Sequence, residues 1–161
     1  MPALGVLLVP AFAQMGAMLL DEGWFHRRRG LPKWERLGHP LDTLTVAACY
    51  SWTLVRAPGQ PHAVAIYVAL AAFSCLFVTK DELVHKRACE GWETWLHAVL
   101  FVLHPIVFLA LGLVWASASS AWLLRAQLAL TLAFAAYQLV YWSLPWNTLR
   151  RTKRLTARSG P

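Results

Sequence analysis

Five runs of apolar residues divide the chain, at about 3–25, 41–55, 63–84, 92–116 and 121–144. Gln14 is the only polar interruption of the first run before Asp21. All but the second run approach or exceed the roughly 20 residues that a helix needs to cross the hydrocarbon core of a bilayer. None alternates apolar and polar with period two, which excludes a closed barrel. The second run is short and opened by Pro40, a good first-turn residue. It either spans with local thinning of the bilayer or lies partly buried among its neighbours. Residues 30–38, with Pro32 and Trp34, read as a short interfacial turn of helix. The fold class implied is all-α integral membrane, with about five transmembrane helices. Residues 1–146 form the single helical domain and 147–161 a basic cytosolic tail.

Composition agrees with this. In 161 residues, 58% are apolar and only 14% charged, more apolar surface than so small a soluble interior can hide. The net charge of +7 comes in short blocks between apolar runs. Such blocks set topology and suit anionic headgroups, and they argue against a nucleic-acid partner. Arg27, Arg28, Arg29, Lys33, Arg36, Lys80, Lys86, Arg87 and the tail's Arg150, Arg151, Lys153, Arg154 and Arg158 fall on one side. Only Arg56 and Arg125 fall on the other. Basic loops stay in the cytosol, so the N-terminus is expected outside and the C-terminus inside, in a bacterial inner membrane. The first run lacks the basic leader of a signal peptide and continues past Ala13. Cys49, Cys75 and Cys89 have neither disulfide-framework nor zinc-site spacing.

Charged groups at membrane depth are costly and mark sites. All eight acidic residues lie between Asp21 and Glu93, and nearly all of the acids and histidines fall near the expected cytosolic end of a span, with His104 deeper in the fourth and His62 on the other side. Glu22 and His26 are four apart, as are Asp81 and His85, and residues four apart share a helix face. His39 and Asp42 open the second segment. Glu90, Glu93, His97 and His104 project within about 60° of one another on the fourth helix. Four helices thus form a bundle with a His/carboxylate cluster at its cytosolic end. Asp21, Glu35 and Glu90 are expected to pair with arginines at headgroup level instead.

Imidazole with carboxylate suits iron, zinc and manganese. The expected metal ligands are Glu22, His26, His39, Asp42, Glu82, His85, Glu93 and His97, with Asp81 and His104 behind them. In ligand type this resembles the di-iron and di-manganese sites of helix bundles. It departs from them in having one Glu-x-x-His step, at Glu82 and His85, and it lacks the HxxxH and HxxHH boxes of membrane fatty-acid desaturases. The favoured expectation is two iron ions in an oxidase or oxygenase, a hydroxylase or desaturase, taking a lipid-like substrate from the inner leaflet. Membrane lipids, and an electron-donor protein or partner subunit, are the expected partners. Two alternatives stand beside it: a zinc hydrolase of lipid amides or esters, and a metal or proton carrier or accessory subunit.

Overall fold

The computed structural model describes residues 2–82, 89, 91–117 and 121–143, and among these every regular element is helical. Helix α1 (Pro2–Leu20) runs on through a π-helical turn (Asp21–His26) and a last α-turn (Arg27–Arg29). Helix α2 spans Lys33–Val55 and α3 spans Ala63–Phe77, the latter closed by a 3₁₀ turn at Val78–Asp81. Helices α4 (Gly91–Ala116) and α5 (Ala121–Ser143) complete the bundle. Four of these are long and apolar enough to cross a membrane: Gly5–Arg29, Ala63–Lys80, Gly91–Ala116 and Ala121–Trp142.

The second element departs from the sequence expectation. It is no short run beginning at residue 41 with a separate interfacial turn before it, but one helix of 23 residues. Pro40 sits well inside it, because the segment before the proline is drawn into the bundle by its own contacts. Leu31 and Glu35 are both fully buried there, and burial outweighs the proline's preference for a first turn. The sharp reversal that makes this possible is at Gly30, whose φ of 76° a residue with a Cβ rarely adopts. Its N–H closes the first helix on the His26 carbonyl at 2.7 Å.

Contacts between helix ends define the topology. The end of α1 meets the start of α4 through His26 and Glu93, and the end of α5 through Glu22 and Trp142. The start of α2 meets the end of α3 where Lys80 donates to Asp42 at 2.6 and 2.8 Å. At the opposite end, the Trp115 indole donates to the Arg56 carbonyl at 2.8 Å. The chain therefore runs up and down, with the ends of α1, α3 and α5 and the starts of α2 and α4 at one pole. The apolar core occupies the other pole, around Leu7, Tyr50, Tyr67, Leu111 and Val114. Outward faces carry large apolar groups such as Val9, Leu76 and Leu109, exposed by 70, 72 and 66%. A surface of that kind suits a hydrocarbon solvent rather than water. The basic tail expected at 147–161 lies outside the described residues.

Close approach of α3 and α4 rests on Gly112, where an added Cβ would lie 3.1 Å from Tyr67 Cε1. Small residues let membrane helices pack closely. Gly112→Leu should lower stability by about 1–3 kcal/mol through overpacking. Gly16→Leu, at a position with nothing within 4 Å, should leave the melting temperature of the detergent-purified protein nearly unchanged.

Candidate metal centre

At the polar pole the π-turn decides which side chains converge. In an α-helix, positions five apart point about 140° away from each other. A π-turn bonds residue i to i+5 and brings them to one face, and such turns concentrate at functional sites. Asp21, Glu22 and His26 are accordingly all buried and all in contact. His26 Nε2 lies 3.2 Å from Asp21 Oδ2 and 3.9 Å from Glu93 Oε1. Its Nδ1 lies 3.4 Å from Glu22 Oε2. The Trp142 indole N–H holds the other oxygen of Glu22.

This arrangement orients the imidazole. A proton on His26 Nδ1 donates to Glu22 and leaves the Nε2 lone pair facing Asp21 and Glu93. Nε2 is buried and forms no well-directed hydrogen bond. A carboxylate behind a histidine, setting its tautomer, is the usual support of a metal-binding imidazole. Opposite it, His97 Nε2 stands 3.2 Å from Asp21 Oδ1. One ligand atom each from Asp21, His26, Glu93 and His97 falls within 4.8 Å of the others, and all four residues are buried.

A second group adjoins the first. Ligand atoms of His26, Glu35 and His39 also lie within 4.8 Å of one another. The rings of His26 and His39 are 4.7 Å apart. Arg29 ties the two groups together, donating to Glu93 Oε1 at 3.1 Å and to both oxygens of Glu35 at 2.9 and 3.3 Å. Glu35 is 0% exposed, and Asp21, Glu22 and Glu93 are 6, 3 and 2% exposed. Among the described residues, four buried carboxylates thus face one guanidinium and three imidazoles. Buried charge without compensation is expensive, and the surplus here is negative. The arrangement is chemically suited to cations.

The structure distributes the remaining sequence candidates as follows. Asp42 pairs with Lys80. Glu82 is half-buried just after the 3₁₀ turn. His85 and the Asp81 side chain lie outside the described residues, as does Glu90. His104 stands two turns of α4 beyond His97, about 10 Å along the axis. Asp21 and Glu35 are both buried within the bundle. Asp21 is in the cluster itself, and Glu35 does meet an arginine, but in a buried contact. The missed signal was a spacing: Glu35 precedes His39 by four residues, as Glu22 precedes His26 and Glu93 precedes His97. Nearby, burial first and the Glu93 carboxylate second push the Cys89 thiol up to about 12.

The cluster opens on a cavity of about 410 Å³ running between the helices toward the apolar pole. Asp21, His26, His39 and His97 line one end, and Met18, Leu100, Phe101 and Phe134 line its walls. His104 lines it too, and a chain of hydrogen bonds crosses four helices there. Thr45 Oγ1 donates to the Asp42 carbonyl at 2.7 Å, so it accepts from Ser74 Oγ at 2.6 Å. Ser74 then accepts from His104 Nε2 at 3.0 Å, and His104 Nδ1 accepts from Gln14 Nε2 at 3.0 Å. The carbonyl fixes every direction in this chain. Gln14 Oε1 is left buried, without a hydrogen bond, on a residue that lines the cavity.

No protein-family model matches the chain, no curated protein matches its sequence, and no solved structure matches its fold.

Removing the one described cation of the cluster tests the charge argument. Arg29→Met leaves Glu35 and Glu93 uncompensated, a change worth on the order of 3 kcal/mol for a broken buried pair. In metal-free protein its thermal unfolding should fall well below that of wild type, whereas Lys33→Met at an exposed site should melt with wild type.

Proposed function

We propose that this chain is a membrane-embedded, metal-dependent enzyme that acts on a lipid-like substrate, with iron as its metal. One observation carries the reading: Asp21, His26, Glu93 and His97 offer four buried ligand atoms within 4.8 Å at the head of an apolar cavity. Imidazole and carboxylate with open positions suit iron used with dioxygen, which is the chemistry the bound metal would supply. The reaction class is oxygen-dependent hydroxylation or desaturation. Glu35 and His39, which adjoin His26, are the ligands left for a second ion beside the first. Electrons for such a reaction come from a donor protein or partner subunit.

The chain's own residues divide the work. His26, His97, Asp21 and Glu93 bind the cation, Glu22 and Trp142 orient His26, and Arg29 holds Glu35 and Glu93 across the α2–α4 gap. The methionine, leucine and phenylalanine walls hold an apolar chain and exclude water from the cluster. Basic and aromatic groups gather at the same pole, where Arg27 donates to Tyr137 at 3.1 Å and Arg28 stacks on Trp24. That belt supports a cytosolic cluster, in a bacterial inner membrane with the N-terminus outside. The substrate then enters from the inner leaflet.

A second reading takes one observation differently. A single tight set of four nitrogen and oxygen ligands also fits one zinc ion, as in a hydrolase of lipid amides or esters. The two readings separate in one set of samples. Purified protein loaded with ferrous iron should consume dioxygen when given a long-chain substrate and a chemical reductant. His97→Ala and Asp21→Asn should lose bound metal and at least tenfold of that uptake while keeping their helical circular dichroism. Retention of a single colourless zinc with no uptake would favour the hydrolase. Variants that bind metal as wild type does would remove this site from the account.

A further inference from the structure

The far part of the cavity differs in kind from the cluster end. Its charged lining residues, Asp21, Glu22 and Asp42, all lie at the cluster end, and among the described residues no lysine or arginine lines it. Deeper in, the lining includes two uncharged polar side chains whose hydrogen-bonding capacity the protein does not use. Gln14 Oε1, two helical turns or about 10 Å from Asp21, accepts no hydrogen bond. Tyr50 lies eleven residues beyond His39, about 16 Å along α2. It is 2% exposed and lines the cavity, and its hydroxyl bonds to no described residue.

A buried polar atom without a partner, as Gln14 Oε1 is, is rare in folded proteins and calls for an explanation. Thr45, Ser74 and His104, close by, are fully bonded, so the fold is able to satisfy polar groups at this depth. The orientation of the Gln14 amide is set by that chain, which leaves an acceptor. Tyr50 offers a hydroxyl that donates or accepts. A hydrocarbon would leave the buried Gln14 Oε1 unsatisfied and the Tyr50 hydroxyl unused. A carboxylate or phosphate would bring a charge to a place with no cation, at a large desolvation cost. A hydroxyl group both donates to Gln14 Oε1 and accepts from Tyr50.

We propose that the chamber takes an uncharged, single-chain molecule bearing a hydroxyl group, which Tyr50 and Gln14 hold deep in the bundle away from the metal cluster. The inference rests on reading the cavity as the substrate chamber of the metal centre, and it narrows that substrate to a long-chain alcohol. A volume of about 410 Å³ is that of a small-molecule pocket, and suits one chain rather than a two-chain phospholipid. The hydroxyl at Tyr50 places the rest of the chain along the apolar walls toward the cluster.

The test is equilibrium binding of labelled 1-dodecanol, dodecane and dodecanoate to the full chain in lipid nanodiscs, with empty nanodiscs subtracted. The wild type should bind the alcohol about tenfold more tightly than either of the others, the worth of one net hydrogen bond. Tyr50→Phe should lose most of that preference with an unchanged or higher melting temperature, because the hydroxyl it removes bonds to no described residue. Gln14→Met, a second variant of similar size, should also reduce the preference. Equal affinities, tighter binding of dodecanoate, no binding above empty nanodiscs, or a preference retained in Tyr50→Phe would each overturn the proposal. Metal content measured on the same samples keeps the two readings apart. An alcohol preference without bound metal would sink the enzyme and keep the chamber. Metal without an alcohol preference would do the reverse.

Discussion

The rest of the structure depends on how a bundle with apolar outer faces accommodates four carboxylates in its interior. Asp21, Glu22, Glu35 and Glu93 are each 6% exposed or less, and Arg29 is the one guanidinium that reaches them among the described residues. Such groups persist only where hydrogen bonds and opposite charges surround them. Each device at this pole answers that demand. The Trp142 indole caps Glu22, Arg29 joins Glu35 to Glu93, and three imidazoles stand between the carboxylates. The remaining negative surplus is what a divalent cation would neutralise.

Local backbone features serve the same end. The π-turn at Asp21–His26 brings Asp21 onto the face shared by Glu22 and His26, from which a regular helix would turn it away. Positive φ at Gly30 turns the chain back within three residues, so that Glu35 and His39 come up beside His26. Polar convergence at one pole and apolar packing at the other divide the bundle lengthwise. The cavity runs between them, sealed by neither.

Much of the fold was legible in run lengths. The apolar stretches predicted at residues 63–84, 92–116 and 121–144 correspond to helices beginning at Ala63, Gly91 and Ala121. The start of α2 was not legible, because Pro40 and the polar segment before it read as a boundary. Only the buried contacts of Leu31 and Glu35, which are tertiary, explain why the helix begins at Lys33. At the site, His26, His39, Glu93 and His97 stood out by residue type and spacing, and the structure brings them together. Asp21 did not, since five residues from His26 is the wrong interval for an α-helix and the π-turn has no sequence mark. Glu35 was hidden by its arginine-rich neighbourhood, although its four-residue step to His39 repeated the pattern of two other helices. Glu22 was grouped with the ligands, and it stands beside the Nδ1 side of His26 at 3.4 Å. The relay through Gln14, Ser74 and Thr45 joins residues 29 to 90 positions apart, and one sequence has no way to register that.

The central claim is that the buried cluster holds a metal ion, and elemental analysis of the full chain tests it most directly. The protein would be purified in detergent without chelators, offered ferrous iron or zinc in turn under anaerobic conditions, and desalted. The account predicts at least one equivalent of transition metal per chain after desalting. A chain that emerges correctly folded and free of metal under every loading condition would contradict it, and the cluster would then be a network of protons and ion pairs.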